Sequence, residues 1–558
     1  MPVITIEIDR FSKIMRREVT VNELVEKIPS IGVDIEEIGE DYLKIEYNPN
    51  RPDLGTLVGV ARAYKGITRE EIGLPKYNLK EREKYKILVD SSVEKIRPFI
   101  AGFVAKNVPM SEQLLTEMIA YQEDLHTGIG RKRRKVAIGI HNLDVISFPL
   151  KYFATEDINF KFVPLNETRE LTISEILTML DTGRQYGYIV SPYGMYPIIS
   201  EANGNVISFP PIINAELTRV TPDTRNLLIE ITGTDNKAVM NTANLLATYL
   251  HDCGAEIWKV EINYEKGRQF SPDFSLKETR VKKDLIKQLL GLNLTDDTII
   301  SCLRACRLEA IPDKDEIIVR IPPYRIDIMH PVDIVEEVAI GYGYENMEPE
   351  MPKVLQIGES NDKRDFENLI AEILTGMEMQ EVITYTLSSL ETQFRKMNLR
   401  GTDFVRVMKP KAGELEILRV WIIPNLLQSL RISQKERYPQ RIFEIGKVIF
   451  RREDKVVEEN HLAILVSHSK AGYSDVKAIL DTLLEMLELR GVVKKADHSS
   501  FIPGRYGHVF VEDTYVGMIG EIHPAVLEAF ALENPVAAIE INLDKLYLAY
   551  KHRHLNVF

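Results

Sequence analysis

The chain runs to 558 residues, and at ~150 residues per domain that length asks for three or four separately cored units. Hydrophobic residues at 44% and charged residues at 27% are a globular balance, which excludes long disorder, a fibrous repeat and a membrane protein. Asp plus Glu number 83 against 70 Lys plus Arg, a formal charge of -13 that argues against nonspecific attachment of the whole chain to nucleic acid or anionic lipid and leaves room for a local basic patch.

The N-terminal MPVITIEIDR alternates Ile4, Ile6 and Ile8 with Thr5, Glu7 and Asp9, the pattern of a half-buried strand and not of a signal peptide. Strand, helix and hairpin account for residues 1–85, ending in a helix that starts near Thr56 and buries Leu57, Val60, Ala61 and Tyr64. Residues 86–270 mix β-rich runs (KILVD, FIAGFVAKNV, KVAIGIHNLD, ISFPPIIN, NLLIEITGTD) with a long helix after Asp235 that stops at Gly254, an α+β domain. Residues 271–347 spell a helix around 285–290, a second helix capped by Thr295 and a hairpin turned at Pro312-Asp313-Lys314-Asp315, the outline of a winged helix or of a plain α/β connector. Over 348–558 the runs EVITYTL, RIFEIGKVIF, HLAILVS, YVGMIGEIHP and AAIEINL, with helices at 424–434 and 474–489, predict a large antiparallel sheet flanked by helices.

Cys253, Cys302 and Cys306 are too few for a disulfide framework and lack the partners of a zinc site, so a reducing cytoplasm and core packing are expected. The densest chemistry lies in PPYRIDIMHPVDIVEEVAIGYGYENM, residues 322–347. There a helix opens near Pro331 and buries Val335, Val338, Ala339 and Tyr342. Asp333, Glu336 and Glu337 stand at i, i+3 and i+4, and Asp327 lies six residues earlier, expected at a strand end. Such like charges either want a hard cation such as Mg²⁺ or Ca²⁺, or form a solvated acidic face.

The pattern P-x-R-x-D, five residues, D-x-x-E-E and then G-Y-G-Y resembles the B5 module of the β subunit of phenylalanyl-tRNA synthetase. NRPDL at 50–54, RKVAIGIHNLD at 134–144, SFPPIIN at 208–214, EITGTD at 230–235, RIFEIGKVIF at 441–450, FIPGRYGHV at 501–509 and GEIHP at 520–524 extend the resemblance over almost the whole chain, in the archaeal and eukaryotic cytosolic form. The resemblance implies a B1-like module at 1–85, a B3/4-like editing domain at 86–270, a B5-like domain at 271–347 and a class II synthetase-like domain without catalytic motifs at 348–558. It also implies a Mg²⁺ ion on Asp327, Asp333, Glu336 and Glu337, shared with the α subunit in an (αβ)₂ heterotetramer. ATP and the aminoacylation centre would lie on α, and tRNA(Phe) would be a partner.

Nothing after RIFEIG supplies the glycine-rich arginine stretch of a last class II motif, and the chain has no Walker loop, dinucleotide fingerprint, G-x-S-x-G elbow or H-E-x-x-H. Lys409-Pro410 replaces the family's usual Asn-Pro in a loop. A pocket selected for phenylalanine rejects tyrosine by only ~10²-fold, so a second, hydrolytic site is useful. By the resemblance that site is read by Glu230, which stands where many relatives have Asp, with Thr232 lining the pocket and Ser208 nearby. His141 is taken as a satisfied structural histidine rather than a general base. Arg131, Lys132, Arg133, Arg134 and Lys135 are either a phosphate-holding run or a solvated loop. The competing readings are a freestanding aminoacyl-tRNA hydrolase and a winged-helix RNA-binding scaffold.

Overall fold

The computed structural model describes residues 2–352, 357–401, 403–408, 410, 413, 415–453 and 455–555. Lys409 of the Lys409-Pro410 substitution lies outside them. Contacts divide the chain into two units, 1–351 and 352–558. Among the described residues no helix is long and apolar enough to cross a membrane.

The first unit opens on β1 (Val3–Glu7), β2 (Val33–Ile38) and β3 (Tyr42–Tyr47), paired β1-β3-β2, and on α1 (Leu57–Ile67). Thr56 caps α1 by accepting the Gly59 amide at 3.2 Å, and Leu57, Val60, Ala61 and Tyr64 enter the core as expected. The initial strand is shorter than its alternation suggests, because Ile8 already begins a helix.

The next region carries β4 (Phe99–Lys106), α2 (Glu112–Thr127), β5 (Val136–Asn142), β6 (Val206–Phe209), β7 (Leu227–Gly233), α3 (Asn236–Asp252) and β8 (Glu256–Tyr264). Strands β8-β4-β7-β5 are antiparallel neighbours at one end of an eleven-stranded sheet of described residues. In β7 all seven residues are buried, since a central strand covered on both faces cannot alternate. Asp235 caps α3, and Gly254 follows its end at φ 99°, a conformation that favours glycine.

β9 (Lys277–Lys282), α4 (Lys283–Leu290), α5 (Asp296–Ala305), β10 (Glu309–Asp313), β11 (Glu316–Ile321) and α6 (Pro331–Tyr342) complete the unit around their own apolar cluster. Asp327 sits in the loop between β11 and α6 rather than at a strand end.

The second unit holds α7 (Asp362–Gly376), α8 (Ile423–Ile432), β12 (Gln440–Arg452), β13 (Lys455–Ser467), α9 (Tyr473–Met486), β14 (Gly491–Lys495), β15 (Phe501–Val511), β16 (Thr514–Ile522) and β17 (Val536–Asn542). The antiparallel order is β12-β13-β17-β16-β15-β14, with Gln380–Glu381 parallel on β12 at the edge. EVITYTL, expected as one strand, is paired as strand only at 380–381 and 387–388, and its Ile383 and Tyr385 are 89% and 82% exposed.

Inside this sheet the buried Glu540 accepts the amides of Ile422 and Ile423 at 3.0 Å, at the start of α8, and lies 2.8 Å from Nδ1 of His461. Burial disfavours the imidazolium, but Glu459 and Glu540 outweigh it and raise the His461 pKa from 6.5 to about 9. The ion pairing therefore stabilises the fold fully below pH 6.5 and is lost as pH rises through about 9. In a Trp258→Phe background, where Trp421 reports on this unit, thermal stability should fall between those pH values by roughly 2–3 kcal/mol. His461→Gln should flatten that slope; an unchanged slope would remove His461 as its cause.

Candidate functional site

Glu230 lies in the middle of β7 with Gly102 of β4 on one side and Gly139 of β5 on the other. A Cβ on Gly139 would fall 2.3 Å from Glu230 Oε1 and 2.7 Å from His141 Nε2, so glycine there is what lets the carboxylate lie across β5. Glu230 is 2% exposed and accepts the Ser208 hydroxyl on Oε1 at 2.9 Å, while its Oε2 has no hydrogen-bond partner. His141 Nε2 stands 3.9 Å from Glu230 Oε1 and is also unpartnered. His141 Nδ1 meets Thr218 Oγ1 at 2.8 Å. Thr218 Oγ1 also lies 3.3 Å from the Ala215 carbonyl. The expectation of a satisfied histidine holds for one ring nitrogen only.

Glu230 and Ser208 line a cavity of about 510 Å³, walled by Leu115, Met118 and Ile119 of α2 and by Pro211–Ile213, with Asn166 and Arg219 also lining it. The cavity is largely apolar with a buried carboxylate, which suits an apolar body bearing one hydrogen-bond donor. Thr232, expected to line it, does not: it is fully buried and its hydroxyl accepts from Arg97 Nε at 2.8 Å. Two residues along a strand preserve the face but advance the side chain ~6.6 Å, and here that carries Thr232 to the Arg97 side. Arg97 is itself 1% exposed, donates also to the Thr232 carbonyl at 2.7 Å, and is pushed by burial down to about 10.

The basic run is not a free phosphate grip throughout. Arg133 donates to Glu123 at 2.8 Å and to the carbonyls of Pro211 and Ile212 at 3.4 and 3.3 Å, and its guanidinium sits 4.5 Å from the Tyr186 ring centroid. Lys135 pairs with Asp235 at 3.1 Å, whereas Arg131, Lys132 and Arg134 are exposed. Arg131, Lys132 and Arg133 have φ of 48°, 55° and 62°, three consecutive non-glycine residues in the left-handed region at ~1–2 kcal/mol each. His126, hydrogen-bonded to Glu123, and the nearby Arg133 hold that carboxyl down at about 2. Sequence reading missed Arg97, His126 and the role of Arg133; each is a single residue whose partner is distant in sequence.

The four carboxylates of 327–337 part company. Arg325 is forked against two of them: Nε and Nη2 donate to Asp327 at 3.0 and 2.7 Å, Nη1 donates to Glu337 Oε2 at 2.9 Å, and Nη2 also donates to Glu337 Oε1. Asp333 turns back to accept the Met329 and His330 amides at 2.8 and 2.7 Å, closing a capping box on α6. Glu336 is exposed and accepts the Tyr344 hydroxyl at 2.6 Å. Glu336 and Glu337 are ~100° apart around the helix, so one faces solvent while the other is 5% exposed. Among the described residues no group of three or more His, Cys, Asp or Glu side chains is arranged to hold a metal ion. As they stand, these four do not fit a magnesium shell. Cys302 is buried, and Cys306 donates to the Glu337 carbonyl at 3.2 Å, as packing cysteines do.

Family comparison names the class. The sequence model of the tRNA synthetase B5 domain matches residues 279–344, and that of the phenylalanyl tRNA synthetase beta chain CLM domain matches 347–543, so the chain is built of tRNA-synthetase modules. It is 39% identical over 550 residues to the phenylalanine–tRNA ligase beta subunit of Archaeoglobus fulgidus, covering 98% of this chain and 99% of that one. With the same subunit of Thermococcus sibiricus it shares 36% over 556 residues, again 98% and 99% of the two chains. The crystal structure of an N-terminal fragment of the phenylalanyl-tRNA synthetase β subunit from Pyrococcus horikoshii aligns at 35% identity and TM-score 0.59, over 62% of this chain and all of the fragment. The chain belongs to the phenylalanine–tRNA ligase β-subunit family.

Because Gly139 makes the room for Glu230 and His141, Gly139→Ala should lower the unfolding free energy by ~1–3 kcal/mol and displace the carboxylate. Chemical denaturation measures the first effect and a crystal structure of the variant the second; an unchanged Glu230 position would sink the argument.

Proposed function

We propose that the chain works with an α subunit in an (αβ)₂ ligase that charges tRNA(Phe) in the cytoplasm, with ATP and the aminoacylation centre on α, and that its own chemistry is hydrolysis of tyrosyl-tRNA(Phe). Residues 1–85, 86–270, 271–347 and 348–558 would be its B1-like, B3/4-like, winged-helix-like B5 and class II-like modules. Three free cysteines suit that compartment. The single observation that carries the hydrolytic reading is the unpartnered Glu230 Oε2 in a cavity of about 510 Å³. A tyrosine hydroxyl donates to it, whereas phenylalanine leaves this buried oxygen without a donor, which costs ~1–3 kcal/mol. Ser208 donates to the other oxygen of the carboxylate, and the unpartnered His141 Nε2 stands 3.9 Å from that oxygen. Thr232 acts one step back, as the anchor of Arg97. The ester would then be cleaved by a positioned water, since no side-chain nucleophile motif is present.

For the second unit the support is its occupied interior. Arg419, 2% exposed, is tied to Glu444 at 2.6 Å, to Thr384 at 2.9 Å and to the Lys447 carbonyl at 2.8 Å. Arg441 of RIFEIG points outward toward Glu378. Neither is presented to a nucleotide phosphate. An RNA-binding winged helix draws less support: Arg304 pairs with Glu309 at 2.8 Å, and Arg307 is 7% exposed and turned toward Glu71. The exposed Arg131, Lys132 and Arg134 remain the candidates for RNA phosphate. The magnesium ion on Asp327, Asp333, Glu336 and Glu337 is proposed only for the assembled ligase, and only with Arg325 displaced.

Purified alone, the chain should give no phenylalanine-dependent ATP–pyrophosphate exchange, and exchange should appear on adding α; full exchange by the chain alone would refute the division of labour. In the complex, Glu230→Gln should slow tyrosyl-tRNA(Phe) deacylation at least ~10-fold while phenylalanylation persists. Unchanged deacylation would take Glu230 out of the site.

A further inference from the structure

The family expectation puts a divalent cation on Asp327 and Glu337, yet all four of their carboxylate oxygens accept from one side chain, Arg325, which is 4% exposed. Arg325 belongs to a larger buried node. Arg51 forks onto Asp53 with both bonds at 2.9 Å and stands 4.0 Å from Asp327. Arg62 pairs with Asp252, lies 3.7 Å from Asp53, and sits 3.9 Å from the Tyr324 ring centroid. Three guanidinium charges thus face four carboxylate charges, one short of neutral. A divalent cation added without losing an arginine would make this water-poor node net positive, and would need oxygens that each already accept from an Arg325 N–H.

We infer that Arg325 is the resident counter-ion of Asp327 and Glu337, and that a divalent cation reaches those two carboxylates only by displacing its guanidinium, so that the chain by itself carries no metal there. The exchange is chemically even: one guanidinium leaves two carboxylates, and a hard cation with its waters takes the same oxygens. Asp333 and Glu336, each engaged on one oxygen only, stand outside this competition. The inference rests on ion-pair geometry and stands whether or not the chain edits tRNA.

Mn²⁺, titrated into the full-length chain alone and read by electron paramagnetic resonance, tests it without any activity assay. The wild type should bind no stoichiometric Mn²⁺ in competition with millimolar-range K⁺ buffer, and its Tm should be the same in Mn²⁺ and in EDTA. Glu337→Gln should lower Tm by several degrees in EDTA, because it unpairs a buried arginine. Arg325→Met should lose stability in EDTA, take up one Mn²⁺ and regain Tm with it; Arg325→Gln, which is neutral but keeps a polar end, serves the same arm if the Met variant fails to fold. One Mn²⁺ bound tightly by the wild type and lost in Asp327→Asn or Glu337→Gln would overturn the inference, as would Arg325 variants that fold and gain no Mn²⁺. The metal content of the complex with α is a separate measurement, so failure of the assembled-ligase reading is distinguishable from failure here.

Discussion

The first unit depends on one buried node of charge. Asp53 is 4% exposed; burial alone would raise its pKa, but Arg51, Arg325 and Arg62 around it hold it down to about 2. Through these side chains the NRPDL loop, α1, the end of α3, the loop after β11 and the middle of α6 meet at one place, bridging residues as distant as Arg51 and Asp327. Removing one partner from such a cluster typically costs ~3–5 kcal/mol, because the remaining charge is left unpaired away from water. Arginine suits the role where lysine would not: the planar fork of Arg325 satisfies two carboxylates at once, and the guanidinium of Arg62 lies over the Tyr324 ring.

The cavity around Glu230 uses the opposite device. Its polar atoms are buried but only half satisfied, a cost the surrounding sheet supports through glycines at 102 and 139 and through the anchored Arg97. The left-handed turn at 131–133 adds strain beside the same cavity, held by Arg133 reaching Glu123 and the 211–212 carbonyls. Unpartnered polar atoms and local strain thus lie together at this one cavity.

The second unit is built from the same physics with the polar interior closed. Glu444 takes Arg419, and Glu540 takes the start of α8 together with His461. Each of these interior charges has its partner within the unit.

Sequence by itself determined most elements and the family. Thr56, Asp235 and Thr295 cap the helices that their positions announce, and β7 and β17 are buried along their whole length, Glu230 and Glu540 included. It also singled out Glu230, Ser208 and the four carboxylates of 327–337. Tertiary structure alone decided which of them face each other. Asp333, Glu336 and Glu337 share a spacing, but the ~100° step between the last two sends Glu337 inward to Arg325 and leaves Glu336 in solvent. Thr232 shares a strand face with Glu230, yet Arg97 claims its hydroxyl. EVITYTL has strand composition, but it is paired as strand only at its ends. Local propensity acts over neighbours in the chain, whereas ion-pair partners and cavity walls are set by groups as far apart as Arg51 and Asp327, and their choice is made only when the chain is folded.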